Sequence, residues 1–202
     1  MRTVCLTLPE KPYRTEAARL HFEERGVNAE FFTGINGEKM GVLTDRPYMR
    51  DRKPTDEKFF IGYHGVGIFL SHYSLWNAMT LMNDEHLFIL EDDALFNIDW
   101  KPKFDQALKD VPQDFDVLFI GSCAAANQRH KKHINGHIYE VKYPMCFHAY
   151  IVAKKAVPVL LSTNRDCYAP IDISVTLHSF DKLKVYTLLP RIVSQFNTEL
   201  EP

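Results

Sequence analysis

The sequence contains little that would place the protein in a membrane, at its surface or on nucleic acid. No window approaches the roughly 18 consecutive apolar residues of a membrane-spanning helix, so no transmembrane segment is predicted. Residues 1–12 lack the long apolar core and the small-residue cleavage site of a signal peptide. With 24 basic and 26 acidic residues, the net charge is −2, and this balance argues against general nucleic-acid binding.

Cysteine is scarce and scattered. The four residues Cys5, Cys123, Cys146 and Cys167 include no pair with C-x-x-C spacing, so a structural zinc site is not predicted. We expect all four to be reduced thiols, as is usual in cytosolic proteins. Together with the missing leader, this expectation predicts a cytoplasmic protein.

Internal repeats and low-complexity segments are also absent, and 202 residues are typical of one domain. Near the N-terminus, a strand over Thr3–Leu8, a helix over Glu16–Glu24 that ends at Gly26, and a strand over Ala29–Thr33 form a βαβ unit. Strands and helices continue to alternate, and residues 190–196 are expected to be a tail. The pattern predicts an α/β fold in which residues 1–202 form a single domain, with a mixed, mostly parallel central sheet flanked by helices.

The most informative stretch is a short apolar run that leads directly into three acids. Residues 86–90 have the pattern of a strand buried on both faces, and Glu91, Asp92 and Asp93 follow it. In open α/β sheets, ligands bind at this carboxyl edge. Three adjacent carboxylates repel one another, and a hard divalent cation such as Mg²⁺ or Mn²⁺ would offset their charge. The alternative is an acidic turn exposed to water.

Two other segments have a functional interpretation and a structural one. Residues 40–60 are polar and lack periodicity, which is typical either of a mobile lid that closes over a ligand or of a solvated connector. A helix predicted over about 66–82 carries His72 among apolar residues. A histidine in that setting is more often a core residue than a ligand.

Two motifs together resemble glycosyltransferase family 25, which includes bacterial lipooligosaccharide galactosyltransferases and procollagen galactosyltransferases. The first is the S-H-x-x-x-W pattern of residues 71–76, preceded by Gly65 and Gly67. The second is the E-D-D pattern of residues 91–93 after its apolar strand. Weaker matches extend the resemblance over nearly the whole chain: L-P-E-K-P-Y-R at 8–14, F-H-A-Y at 147–150, P-I-D at 170–172, and L-P at 189–190 with Gln195.

The sequence departs from the family pattern in two places. His64 stands where the family usually has an acid, and the chain ends soon after Gln195, which leaves the acceptor-side elements of the family in question.

The resemblance implies a GT-A-type fold and the metal-dependent transfer of a hexose, galactose or glucose, from a UDP-sugar to an acceptor hydroxyl. The cofactor would be Mn²⁺ or Mg²⁺, the transfer would be inverting, and the acceptor would be a glycan, a lipooligosaccharide or a protein, as in lipopolysaccharide biosynthesis. Carried over position by position, donor binding falls on Arg14, His72, Glu91, Asp92 and Gln195. Metal binding falls on Asp93, with Glu91 near the ribose or a metal-bound water.

The family resemblance also suggests the groups that act on the acceptor and the diphosphate. An inverting transfer needs a base for the acceptor hydroxyl, and Asp172 is the first candidate, with His148 second. The alternative for Asp172 is a plain helix N-cap. Arg14 is the candidate contact to the diphosphate, and the alternative is an ordinary surface arginine.

Three functional hypotheses follow. The first is an active sugar-nucleotide transferase, and the second is a catalytically silent relative that binds a glycan or a protein. The third is a nucleotidyltransferase, which could use the same metal chemistry. The intact acid triad favours the first hypothesis, since a silent homologue has no physical need for three clustered carboxylates.

Overall fold

The computed structural model describes residues 1–40, 61–123, 131–167 and 169–196. Its helices are α1 (Pro12–Arg25), α2 (Tyr63–Met79), α3 (Trp100–Asp110), α4 (Val157–Thr163) and α5 (Ile171–His178). Its strands are β1 (Arg2–Thr7), β2 (Glu30–Thr33), β3 (His86–Glu91), β4 (Ala94–Phe96), β5 (Val117–Gly121), β6 (Lys131–Asn135), β7 (Ile138–Val141), β8 (Ala149–Ala153), β9 (Val185–Leu188) and β10 (Val193–Gln195). None of the helices in these parts of the chain has the length and apolarity needed to cross a bilayer.

An eight-stranded sheet with the order β2-β1-β3-β8-β5-β9-β7-β6 forms the centre of the molecule. Strand β1 pairs in parallel with β2 and β3, and β5 pairs in parallel with β9. Strand β8 is antiparallel to β3 and β5, and β7 is antiparallel to β9 and β6. Six of the eight strands therefore point the same way, with β7 and β8 reversed. The predicted α/β fold with a mixed, mostly parallel sheet is confirmed.

The two faces of the sheet are covered by different helices, and β3 shows why its sequence is continuously apolar. Leu87 and Ile89 point into a core shared with α2, α4 and α5. Phe88 and Leu90 point into a second core shared with α1 and α3. Because successive side chains of a strand alternate between faces, a strand buried on both faces needs an apolar residue at every position.

Helix α1 starts earlier than the sequence predicts and stops where it predicts. Its first residue is Pro12, not Glu16, because proline at the first helical position needs no N–H donor and has a suitable φ. Gly26 ends the helix in the left-handed region at φ 67°, and its N–H donates to the carbonyl oxygen of Glu23. The earlier start matters for the site, since it places Arg14 in the first turn.

The segment predicted to be a tail is instead a strand. Strand β10 pairs antiparallel with β4, with Gln195 opposite Ala94, and the N–H of Phe196 donates to the carbonyl oxygen of Asp93 at 3.1 Å. The prediction failed because a three-residue strand has too little periodicity to recognise, and its partner lies almost 100 residues earlier in the chain. The pairing of β10 with β4 places the C-terminal part of the described chain beside Glu91, Asp92 and Asp93.

The expectation of four reduced thiols is wrong for two of them. Cys123 and Cys146 form a disulfide, while Cys5 and Cys167 are free and buried. Sequence spacing could not reveal the pair, because it is the sheet that brings the end of β5 beside the loop before β8. There the N–H of Cys123 donates to the carbonyl oxygen of Met145 at 3.0 Å. The disulfide removes one of the two reasons for predicting a cytoplasmic protein.

The lid predicted over residues 40–60 lies outside the described residues, apart from Met40.

Candidate functional site

The acid triad borders a cavity of about 110 Å³ at the carboxyl ends of β1 and β3. Glu91 is the last residue of β3 and pairs with Leu6 of β1, and Asp92 and Asp93 begin the turn into β4. The predicted position of the acids at the end of a buried strand is therefore confirmed. The cavity is lined by residues 6–8, 34–37 and 91–93 together with Lys11, Arg14, His64, Ile68, Ser71 and His72.

One wall of the cavity is a loop after β2 that lies directly against α2. A Cβ on Gly37 would come within 1.6 Å of the carbonyl oxygen of Tyr63, and a Cβ on Gly67 within 2.5 Å of the carbonyl oxygen of Ile35. Ser71 completes the contact: its hydroxyl accepts the N–H of Ile35 and donates to the carbonyl oxygen of Gly67, both at 2.7 Å. The two glycines thus allow backbone to pack on backbone, which leaves a wall rich in peptide groups beside the acids.

Arg14 lies across the aspartates from the opposite side. Its Nη2 atom is 2.5 Å from Oδ1 of Asp92 and 3.4 Å from Oδ2 of Asp93. All three side chains are less than a third exposed, at 29%, 11% and 21%. A partly desolvated arginine with two carboxylates is a strong charge-assisted interaction, so the alternative of an ordinary surface arginine does not describe this residue.

Glu91 is held from the α2 side of the sheet. Its Oε1 atom lies 3.0 Å from Nε2 of His72, and Nδ1 of the same ring lies 2.9 Å from the hydroxyl of Tyr150. The indole N–H of Trp76 also donates to that hydroxyl, at 2.9 Å. His72, Tyr150 and Trp76 are buried, whereas the Glu91 side chain is 20% exposed. His72 lines the cavity, but both of its ring nitrogens are already hydrogen-bonded inside the protein.

The three neighbouring carboxyls differ in acidity. Burial, reinforced by the negative charge of Glu91, raises the pKa of Asp93 from 3.8 to about 6, although Arg14 opposes the change. Burial also raises the pKa of Asp92, again against Arg14. Burial is the largest single influence on Glu91 and would raise its pKa, but the hydrogen bond and the other interactions with His72, together with smaller effects of His148 and Arg14, outweigh it and the pKa is lowered. The site therefore contains one stabilised carboxylate and one aspartate whose negative charge is poorly offset.

Asp93 has the features expected of a cation ligand. Its Oδ1 atom is buried and accepts no hydrogen bond among the described residues. No group of three or more His, Cys, Asp and Glu side chains in those same residues is arranged to bind a metal unaided. Mg²⁺-type sites commonly use one or two carboxylates together with substrate phosphates. Asp93, with Glu91 nearby, fits that sparse kind of site, in which phosphates of a ligand supply the remaining oxygens.

Gln195 is also brought to the acids, through the β4–β10 pairing. A hydrogen bond from its side chain lowers the pKa of Asp93 slightly against the larger effect of burial. The predicted donor-binding residues Arg14, His72, Glu91 and Asp92 all line the cavity. Gln195 does not line it, but its side chain contacts Asp93, which does.

The two candidate bases are not among the residues that line the cavity. Asp172 lies in the first turn of α5, where Pro170 is the N-cap residue, and its carboxylate accepts the N–H of Ile173 at 2.9 Å and of Cys146 at 3.2 Å. Asp172 therefore contacts the N-terminus of α5 without being its N-cap residue, and it also binds the disulfide loop.

His148 is buried, and burial lowers its pKa although Glu91 opposes the change. Its Nε2 atom lies 3.4 Å from the carbonyl oxygen of Val193. The ring fits because residue 121 is glycine: a Cβ there would lie 2.3 Å from Nε2. Nδ1 of His148 has no hydrogen-bond partner in the described chain.

Sequence reasoning missed several cavity and support residues. Lys11, Asn36 and Ser71 line the cavity, and Tyr150 fixes His72. The only local signal for the loop was the pair Gly34 and Gly37 after β2, which indicated a turn but not a wall. Tyr150 belongs to the F-H-A-Y match with the family, but an aromatic residue in an apolar strand indicated a core position and gave no sign of its hydrogen bonds.

Known proteins resemble the chain over part of their length. A "Glycosyltransferase 25 family member" from Aedes aegypti is 30% identical over 131 residues, which are 57% of this chain and 20% of that protein. "Procollagen galactosyltransferase 1" from Danio rerio is 25% identical over 111 residues, 49% of this chain and 18% of that protein. "Probable inactive glycosyltransferase 25 family member 3" from Bos taurus is 22% identical over 168 residues, 79% of this chain and 28% of that protein. The matched region thus spans between 18% and 28% of the length of these curated relatives.

Two solved structures resemble the chain weakly. A glycosyltransferase involved in glycosylation of the major capsid of PBCV-1 aligns with a TM-score of 0.49 and 11% identity, over 92% of this chain and 80% of its own. The galactosyltransferase LgtC, in complex with donor and acceptor sugar analogues, aligns with a TM-score of 0.49 and 14% identity, over 93% and 73% of the two chains.

The model of the family described as glycosyltransferase family 25 (LPS biosynthesis protein) matches residues 4–145. That span contains most of β1 and all of α1, α2 and β3, and with them Arg14, His72 and the three acids that form the site. This chain belongs to glycosyltransferase family 25.

Proposed function

We propose that this chain transfers a hexose, galactose or glucose, from a UDP-sugar to an acceptor hydroxyl, with inversion and with the help of Mn²⁺ or Mg²⁺. One observation carries the proposal: in a family 25 chain, the acid triad and Arg14 converge on one cavity at the carboxyl edge of parallel strands. Ligands of open α/β sheets bind at that edge.

The residues of the cavity suit a diphosphate donor. Arg14 and Lys11 provide positive charge for the phosphates, and the loop of residues 34–37 forms the wall along which the rest of the nucleotide would lie. Asp93, with Glu91, would hold the divalent cation, which when bound stabilises the negative charge on the departing diphosphate as a Lewis acid. Asp92 keeps Arg14 directed toward the same region.

On the acceptor side, a base must take the proton of the attacking hydroxyl. Asp172 remains our candidate, because its half-buried carboxylate is held in a fixed position by two backbone N–H groups. His148 is the second candidate through its unpartnered Nδ1 atom. The acceptor itself would be a glycan, a lipooligosaccharide or a protein side chain.

A second candidate function is a catalytically silent module that binds a glycan or a protein. The observation that favours it is the ion pair between Arg14 and Asp92, which neutralises one of the three acids without a metal. A relative with 22% identity carries the word inactive in its name. In such a module, the ion pair between Arg14 and Asp92 would be permanent, because no metal would replace it.

Titration calorimetry of UDP, with and without Mn²⁺, tests the proposal directly. We expect binding that depends on the metal in the natural chain and is lost in Asp93→Asn. A screen of UDP-sugar hydrolysis then identifies the hexose. Absence of UDP binding would favour the silent module, and preference for a nucleoside triphosphate would favour a nucleotidyltransferase.

A further inference from the structure

The inference concerns how the protein holds Glu91, and it rests on the donor site proposed above. The sheet register places Tyr150 opposite Ile89, two residues before Glu91, so Tyr150 and Glu91 project from the same face. Helix α2 covers that face and carries His72 and Trp76 four residues apart, on one side of the helix. The consecutive elements α2 and β3 therefore meet the distant strand β8 in one buried series of hydrogen bonds.

The direction of each hydrogen bond follows from the donors and acceptors available. The indole nitrogen of Trp76 can only donate, so the hydroxyl oxygen of Tyr150 accepts from it. The single proton of that hydroxyl is then free to be donated to Nδ1 of His72, 2.9 Å away. With Nδ1 accepting, the ring proton of His72 is on Nε2, which donates to Oε1 of Glu91 at 3.0 Å.

Reversing the direction of these hydrogen bonds would leave a buried proton without an acceptor. If Nδ1 of His72 carried the proton and donated, Tyr150 would receive two donors, from His72 and from Trp76, and its own hydroxyl proton would have no partner. Tyr150 is 1% exposed and His72 is 0% exposed, so water offers no substitute. The indole of Trp76 can never accept a hydrogen bond, so it fixes the direction of every hydrogen bond from Trp76 to Glu91.

We propose that Trp76, Tyr150 and His72 act as a positioning relay that presents the Glu91 carboxylate to the donor site in one orientation. Oε1 of Glu91 is held by His72, which leaves Oε2 as the oxygen for the ligand. His72 on this view is a positioning residue that never touches the donor. The relay also explains why a histidine stands at this position of a fully buried helix face, where an apolar residue would pack without needing partners.

A spectroscopic test needs no ligand. Long-range proton–nitrogen correlation spectra of the natural chain, with the His72 signals assigned by their loss in His72→Gln, should show the proton on Nε2. Removing the hydroxyl in Tyr150→Phe should abolish the preference for that tautomer. A proton on Nδ1 of His72 in the natural chain would overturn the relay, because the polarity would then be reversed.

Ligand binding provides a second test, with UDP and Mn²⁺ as the probe. Loss of a residue that orients a ligand-binding group commonly costs about 10–100-fold in affinity, so we expect losses of that order in Tyr150→Phe and His72→Leu. His72→Gln should recover most of the affinity lost in His72→Leu, since its amide can donate to Glu91 and accept from Tyr150. Tyr73→Phe is the matched control, because it also removes one phenolic hydrogen bond from α2, to the carbonyl oxygen of Leu161.

The two proposals fail in different ways. If the natural chain binds no UDP but the His72 proton is on Nε2, the proposed function fails and the hydrogen-bond chain stands. If the natural chain binds UDP and Tyr150→Phe binds it as tightly as Tyr73→Phe does, the relay is refuted while the proposed function survives. Should either variant at position 72 fail to fold, the tautomer of the natural chain and the binding by Tyr150→Phe still decide the question.

Discussion

Replacing Asp93 with asparagine should stabilise the metal-free protein while it removes metal-dependent nucleotide binding. Burial and Glu91 raise the pKa of Asp93 from 3.8 to about 6. At about 1.36 kcal/mol for each pKa unit, the folded chain carries a cost of up to about 3 kcal/mol at pH 7.5 for keeping this group ionised. Asparagine has nearly the same shape and carries no charge, so it avoids that cost.

The sign of the pH dependence follows from where the proton binds more tightly. The Asp93 carboxyl holds its proton more tightly in the folded chain than in the unfolded chain, so the free energy of unfolding falls as the pH rises from about 4 to about 6. The advantage of Asp93→Asn should therefore approach about 3 kcal/mol at pH 7.5 and fall below about 1 kcal/mol at pH 4. For a chain of this size, the larger value corresponds to a rise in melting temperature of about 6–12 °C.

Thermal melting in the presence of a chelator, at pH 7.5 and at pH 4, measures the effect. Asp181→Asn is a suitable control, because Asp181 is an exposed aspartate that does not line the cavity. A melting temperature of Asp93→Asn that does not exceed that of the natural chain at pH 7.5 would refute the reasoning. So would an increase that is equally large at both pH values. Calorimetry with UDP and Mn²⁺ on the same variant then shows whether the destabilising carboxylate is the one that binding requires.

Three further substitutions test other parts of the site. Arg14→Gln should strengthen the binding of Mn²⁺ alone, since a competing cation is removed. It should weaken UDP binding by about 10–100-fold, which corresponds to the loss of a hydrogen bond to a charged group. Calorimetry with each ligand measures whether the two affinities change in these opposite directions. Asp172→Asn should lower turnover by about two to four orders of magnitude with unchanged UDP affinity if Asp172 is the base, and normal turnover would exclude it. Gly67→Ala should lower stability by about 1–3 kcal/mol and weaken UDP binding, because the new methyl would meet the carbonyl oxygen of Ile35 at 2.5 Å. Its control is Gly62→Ala, where nothing lies within 4 Å, and equal melting temperatures of the two variants would contradict the backbone contact.

Much of the fold could be predicted because its signals are local. The continuous apolar run before Glu91 indicated a strand buried on both faces, and the structure has β3 packed between two cores. Gly26 indicated the C-terminal end of α1, since only a residue without a Cβ adopts φ 67° at no cost. The acids at the end of β3 were predicted to lie at the ligand-binding edge for the same reason: strand direction and the positions of its ends are properties of a few consecutive residues.

Arrangements that depend on residues distant in sequence could not be predicted. Strand β10 exists only because β4 is available as a partner, and the Cys123–Cys146 disulfide exists only because the sheet brings β5 beside the loop before β8. No local pattern distinguishes strand β10 from an irregular tail, and none distinguishes the disulfide from two free thiols.

The sequence by itself determined which groups the site contains: three adjacent carboxylates after a buried strand, and a histidine four residues before a tryptophan. Only the tertiary structure decided what each group does. Asp92 faces Arg14 across the sheet edge, Asp93 is buried with an unpartnered oxygen, and Glu91 receives the hydrogen bond of His72. The physical reason is that the sequence specifies only which residues are adjacent along the chain. The charge and hydrogen bonding of a side chain depend on the residues that folding brings into contact with it.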